Sequence, residues 1–110
     1  MSIFTIKRND TRNALKAKLI NTAGVATNLT NTTVHFIMST RRNEVIINRK
    51  VIISDAVNGE VLVVFRPGDT GKVGLMRGEF RVMFADGNVE TYPNSEYIDI
   101  YIESNLEGVI

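Results

Sequence analysis

The chain has 110 residues, no cysteine, no tryptophan and one histidine, and its 13 Lys and Arg against 12 Asp and Glu leave a net charge of +1. A chain of this length removes roughly two-thirds of its unfolded surface from water, so residues 1–110 are expected to fold as a single domain without covalent staples. The missing cysteines exclude a disulfide framework and a thiolate metal site. No apolar run approaches the roughly 20 residues of a membrane span, and the opening MSIFTIKRND lacks the pattern of a secretory leader. The expectation is a soluble, unsecreted chain with no membrane contact.

The charge is unevenly placed. Residues 1–55 carry nine Lys and Arg against three Asp and Glu, a balance of +6, and residues 56–110 carry four against nine, a balance of −5. In a β fold the two halves interleave, so ion pairs between them are expected on the wet faces. The basic residues of the first half are spread over several segments with no aromatics between them, which offers nucleic acid no stacking platform.

In chain order, IFTIK reads as a short strand and KRNDTRN as a polar connection. ALKAKLI alternates, with Leu15, Ala17 and Leu19 on one face and Lys16 and Lys18 on the other, as in a sheet with one dry side. NTAGVATNLTN is a loop turning at Gly24. TTVHFIMS is a strand with Val34, Phe36 and Met38 inward and Thr33, His35 and Ile37 outward. After a turn at residues 41–43, EVIIN and KVIIS are two short β-branched segments whose joint at Asn48-Arg49 leaves the register open. Asn58-Gly59 signals the next turn, before EVLVVF with Val61, Val63 and Phe65 inward.

The Gly-rich RPGDTGKVG leads into what reads as a central meander. GLMRGEFRVMFA puts Met76, Gly78, Phe80, Val82 and Phe84 on its dry face, Asp86-Gly87 makes a hairpin turn that brings Phe84 near Val89, and NVETYP and EYIDIYIES follow. In the last run Ile98, Ile100 and Ile102 point inward, and SNLEGVI is expected either to fray or to serve as a short connection. About eight strands with turn signals near every tenth residue predict an all-β, immunoglobulin-like, two-sheet antiparallel sandwich, with a small barrel as the second choice.

Candidate chemistry is sparse. His35 is the only histidine, and its strand setting suits a solvated or cross-strand-paired side chain better than a relay or metal ligand. PGDTGK lacks both the spacing and the hydroxyl of a phosphate loop and reads as a turn. Asp55, Asp69 and Asp86 read as loop aspartates bonding their own backbone, without the spacing of a calcium loop. The Asn-X-Thr triplets at residues 9, 28 and 31 matter only in a secreted chain. Glu79 and Glu90, if they face each other across the hairpin, form a solvated charge ladder with Arg77 and Arg81. Neither enzyme activity, nor a cofactor, nor a metal is expected.

Two binding readings stand beside each other. Ile37, Leu62, Val64, Met83 and Tyr101 fall on outward parities where a wet sheet would carry charges, and if their strands share one sheet they form a contact stripe for identical copies or for a neighbouring protein. Alternatively Tyr92, Tyr97 and Tyr101, if exposed, could stack on sugar rings.

The segments FTIKRNDT, NLTNTTVHF, VIISDAVNGEVLV and FADGNVETYPN, in this order, resemble the N-terminal domain of the baseplate upper protein of tailed phages over roughly residues 3–103. The resemblance implies a non-catalytic virion or prophage component, assembled in the host cytoplasm into the tail or baseplate, whose partners are other tail or baseplate proteins. Two residues depart from the family pattern. Met76 stands where the family often has a tyrosine, which removes an expected tyrosine-corner bond, and Asn31 replaces the usual glycine before Thr32, which implies a different turn.

Overall fold

The computed structural model describes residues 3–106, and among these it holds nine strands and no α-helix. The strands are β1 (Ile3–Lys7), β2 (Ala14–Lys18), β3 (Thr33–Thr40), β4 (Val45–Lys50), β5 (Ile52–Asp55), β6 (Glu60–Val64), β7 (Gly74–Met83), β8 (Val89–Tyr92) and β9 (Ile98–Glu103). They form two facing sheets. The larger has the order β1-β9-β7-β3-β4 with β8 also on β7, and the smaller has the order β2-β6-β5. The sandwich follows from the alternation, because each strand has one apolar parity to bury and a second sheet is the surface that buries it.

The inward parities meet in one core. Val34, Phe36 and Met38 of β3 pack with Met76, Phe80 and Val82 of β7, Ile100 and Ile102 of β9, and Val61 and Val63 of β6, all of them buried. Phe36 and Phe80 are directly paired across β3 and β7, their ring centroids 5.0 Å apart and tilted by 43°. Such a ring pair contributes about 0.5–1.5 kcal/mol beyond the area it buries. Gly78 sits in mid-strand for a reason of space. A Cβ there would come within 2.8 Å of Ile100 Cδ1 and 3.0 Å of the Phe36 ring.

Several expectations change. Residues 74–102 are not a meander, because β9 does not pair with β8. It returns to the first half of β7, with Met76 opposite Ile100, while β8 holds the second half, with Val82 opposite Glu90. A strand of ten residues is long enough to take two partners on one edge. The sheets are antiparallel except at β1, which runs parallel to β9. The open joint lies at Val51 rather than at Asn48-Arg49. There the chain leaves β4 in one sheet and begins β5 in the other.

The turn signals land where the sequence puts them. Gly87 N donates to Phe84 O and Phe84 N to Asn88 O, closing a three-residue loop in which Gly87 takes φ 91°. A type I turn ending in a left-handed glycine fits the strand twist without splaying the hairpin. Met83, not Phe84, is the residue opposite Val89. Asn31 takes φ 60°, so asparagine supplies the left-handed conformation that glycine would. The expected attraction between halves is realised on the wet faces in Lys7–Glu103 and Lys16–Glu60; Arg49–Asp69 joins the halves in the same sense but away from the wet face, and Lys72–Glu44 joins them with the charges reversed. Of SNLEGVI, residues 107–110 lie outside the described residues, and Leu106 is exposed.

Candidate contact surfaces

The outward stripe is divided by the topology. Ile37, Met83 and Tyr101 lie on the outer face of the larger sheet, and Leu62 and Val64 on that of the smaller, so the five residues cannot form one surface. Within the larger sheet Ile37 and Met83 line one shallow hollow with Val89, His35, Arg81 and Asn48. Tyr101 is opposite Leu75 at the far end of β7 from Met83, about 26 Å away at the strand rise of roughly 3.3 Å per residue. On the smaller sheet Leu62 is paired with Ile52, which is 54% exposed, and Val64 lies beside them. Lys50 and Arg66 border that hollow. The result is two separate apolar patches with basic neighbours.

Val89 and Ile52 complete these patches and are absent from the stripe read in the sequence. Ile52 was hidden by the undetermined joint at Val51, since without the switch of sheets its partner could not be known. Val89 was hidden by a reversal in β8. Glu90 and Tyr92 take the inward parity, opposite Val82 and Phe80, and Val89 and Thr91 point outward. Glu79 is opposite Ile37 on the outer face, so Glu79 and Glu90 stand on opposite sides of the sheet.

Tyr92 is therefore not a sugar platform. It is 2% exposed, its hydroxyl accepts a bond from Thr27 Oγ1 at 2.7 Å and donates to Glu90 Oε1 at 2.8 Å. Burial, reinforced by the Glu90 carboxylate, raises its phenol above the ordinary range despite the opposing bond from Thr27. Tyr97 is covered on one face by the Arg77 guanidinium, 4.8 Å from the ring centroid. Arg77 is itself bonded to Asn43 Oδ1 and Arg41 O. Of the three tyrosines only Tyr101 is an exposed ring without such a partner, and one ring makes no sugar platform.

The least expected feature is polar and buried. Arg49 is opposite Phe36, on the inward parity of β4, where a guanidinium has to be paired. It donates to both carboxylate oxygens of Asp69, at 3.1 and 2.6 Å, and to Val64 O at 2.8 Å. Asp69 also accepts from Arg66 N at 2.7 Å, and Thr70 Oγ1 donates to Asp10 O. The loop at 66–70 is thus a clamp joining β4 of one sheet to the end of β6 in the other. From the sequence Asp69 reads as a turn residue, and only the inward parity of Arg49 signals the clamp.

A larger hollow of about 610 Å³ lies between the β3–β4 turn and residues 72–76. The ion pair of Lys72 and Glu44 stands at its side, and the bond from Lys72 holds the Glu44 carboxyl below its usual range. Among the described residues no group of His, Asp and Glu is placed to hold a metal ion.

The family model described as the BppU N-terminal domain, that of the baseplate upper protein, matches residues 2–97. The chain belongs to this family. As a BppU N-terminal domain it is a structural component of the phage tail or baseplate. Its fold is similar to that of the N-terminal domain of phage TP901-1 ORF48, with a TM-score of 0.70 at 19% identity over 93% of this chain and 85% of that one. It is also similar to CopC from Methylosinus trichosporium OB3b, with a TM-score of 0.54 at 10% identity over 96% and 87% of the two chains. At these identities the likenesses show the fold alone. No curated protein sequence matches.

Proposed function

We propose that this BppU N-terminal domain is a non-catalytic assembly module that attaches to other proteins of the tail or baseplate, in the virion, through its outer sheet faces. The observation that carries the proposal is the apolar patch of Ile52, Leu62 and Val64 on the smaller sheet, where a solvated face would carry charges. Lys50 and Arg66 beside it favour an acidic rim on the partner. Ile37 and Met83, with Val89, provide a second patch on the opposite side, and Tyr101 stands apart from both. Two separate patches suit a module held between neighbours, whether identical copies or different baseplate proteins.

The experiment is a double substitution, Leu62→Lys with Val64→Glu, in a domain produced together with the tail proteins of its phage. Both residues point outward, so circular dichroism should show an intact fold while capture by the tail proteins falls. Unaltered capture would place the interface elsewhere.

A further inference from the structure

The two sheets differ in width, six strands against three, and the mismatch leaves one long side of the sandwich open. Strand β2 is the edge of the smaller sheet on that side. Leu19 N donates to Gly59 O in the same register that pairs Ala17 with Val61 and Leu15 with Val63. In an antiparallel ladder bonded and non-bonded pairs alternate, so Ala14, Lys16 and Lys18 turn their N–H and C=O groups to the unpaired edge. Two adjoining hollows of about 450 and 150 Å³ run beside that edge and share Ala17, Lys18 and Ile98. Phe4, Pro93 and Ile98, all partly exposed, contribute apolar surface to them. The edge therefore has free hydrogen-bonding groups above a trough that is mixed beside Lys16 and mainly apolar beside Leu19 and Pro93.

The geometry points to β2 as a strand-addition site, where an extended segment of a partner protein with acidic and aliphatic residues in alternation becomes the fourth strand of the smaller sheet. Main-chain bonds would give affinity and the alternate side chains specificity. Residues across from Leu15 and Ala17 enter the trough and should be aliphatic. Those across from Lys16 and Lys18 lie on the wet face and should be acidic. Lys16 already contacts Glu60 at 3.1 Å, whereas no ion pair among the described residues uses Lys18. The lysines also decide against a second copy of this chain, since a symmetric β2–β2 pair would set lysine against lysine. This inference rests on the assembly reading above and adds to it the kind of partner segment.

The test uses an end-capped heptapeptide alternating glutamate and valine, titrated into the 15N-labelled domain. Saturable shifts at residues 14–18, with slowed amide exchange at Lys16 and Lys18, are expected. Lys16→Pro removes a donor that the β2–β6 ladder does not use, so the domain should stay folded and bind the peptide roughly tenfold more weakly, the loss of one edge bond. Lys18→Glu should weaken this peptide and favour its lysine–valine counterpart. Shifts mapped elsewhere, absence of saturation, or both variants binding like the parent would overturn the proposal. Capture by co-produced tail proteins separates the two readings. Equal capture of parent and Lys16→Pro leaves the assembly role standing and removes the edge, whereas no capture of the parent removes the assembly role itself.

Discussion

The loops at 84–88 and 66–70 each carry an aspartate next to a glycine, and they are held by opposite means. Asp86 accepts bonds from the backbone and side chain of Asn88, two residues on, and stays exposed. Asp69 accepts one local bond, from Arg66 N, and then a two-point clamp from Arg49, twenty residues earlier and in the other sheet. A loop aspartate is a turn device when its partners are neighbours in sequence. It becomes a tie between layers when a cation on an inward parity needs a carboxylate.

Substitution can break that contrast, and the apolar core sets its upper bound. Phe80→Ala should cost about 3–5 kcal/mol, since the ring is fully buried against Phe36. Arg81→Ala, one residue on and outward, should stay within about 0.5 kcal/mol in the same denaturant melts. Equal losses would mean that the parity of β7 is reversed.

Asp69→Ala comes next, at about 2–4 kcal/mol, because it leaves the inward Arg49 guanidinium without its carboxylate; the value is set below the range for a fully buried pair since the Arg49 side chain is 20% exposed. Asp86→Ala, by contrast, should cost about 0.5–1 kcal/mol, the worth of exposed local bonds. If the two aspartates cost the same, the clamp is no more than a turn.

A third variant sharpens the comparison at an intermediate scale. Tyr92→Phe removes a donor to Glu90 and an acceptor for Thr27, for about 1–2 kcal/mol. It also has a pH signature. The native phenol is raised above its unfolded value of about 10, so the folded state holds that proton more tightly. Stability is fully present below about pH 10 and is lost as pH rises from there through the folded value. The gap between parent and Tyr92→Phe should therefore narrow in that alkaline window, and a constant gap would show that the phenol is not raised.

The alternation of Leu15, Phe36, Val63, Phe80 and Ile100 was legible because burial follows a period of two that no distant contact can alter. Gly87 was legible because its turn closes on its own neighbours. The pairing of β9 with β7 was not, since a strand's alternation says which face is dry and not which edge it joins. The same gap hid the contact surfaces: five outward residues looked like one stripe until the sheet switch at Val51 put Leu62 and Val64 on the other side. Arg49 was not legible because the open register at Asn48-Arg49 leaves undecided which face its cation takes, and so hides its need for a carboxylate.

The central claim is that this domain is a working part of the tail's lower end, held there by protein contacts. The most direct measurement is electron microscopy of purified particles of the phage that encodes it, labelled with gold-tagged antibody raised against the folded domain. Label concentrated at the baseplate is the predicted result. Particles that lack the label while the protein remains free in the lysate would contradict it.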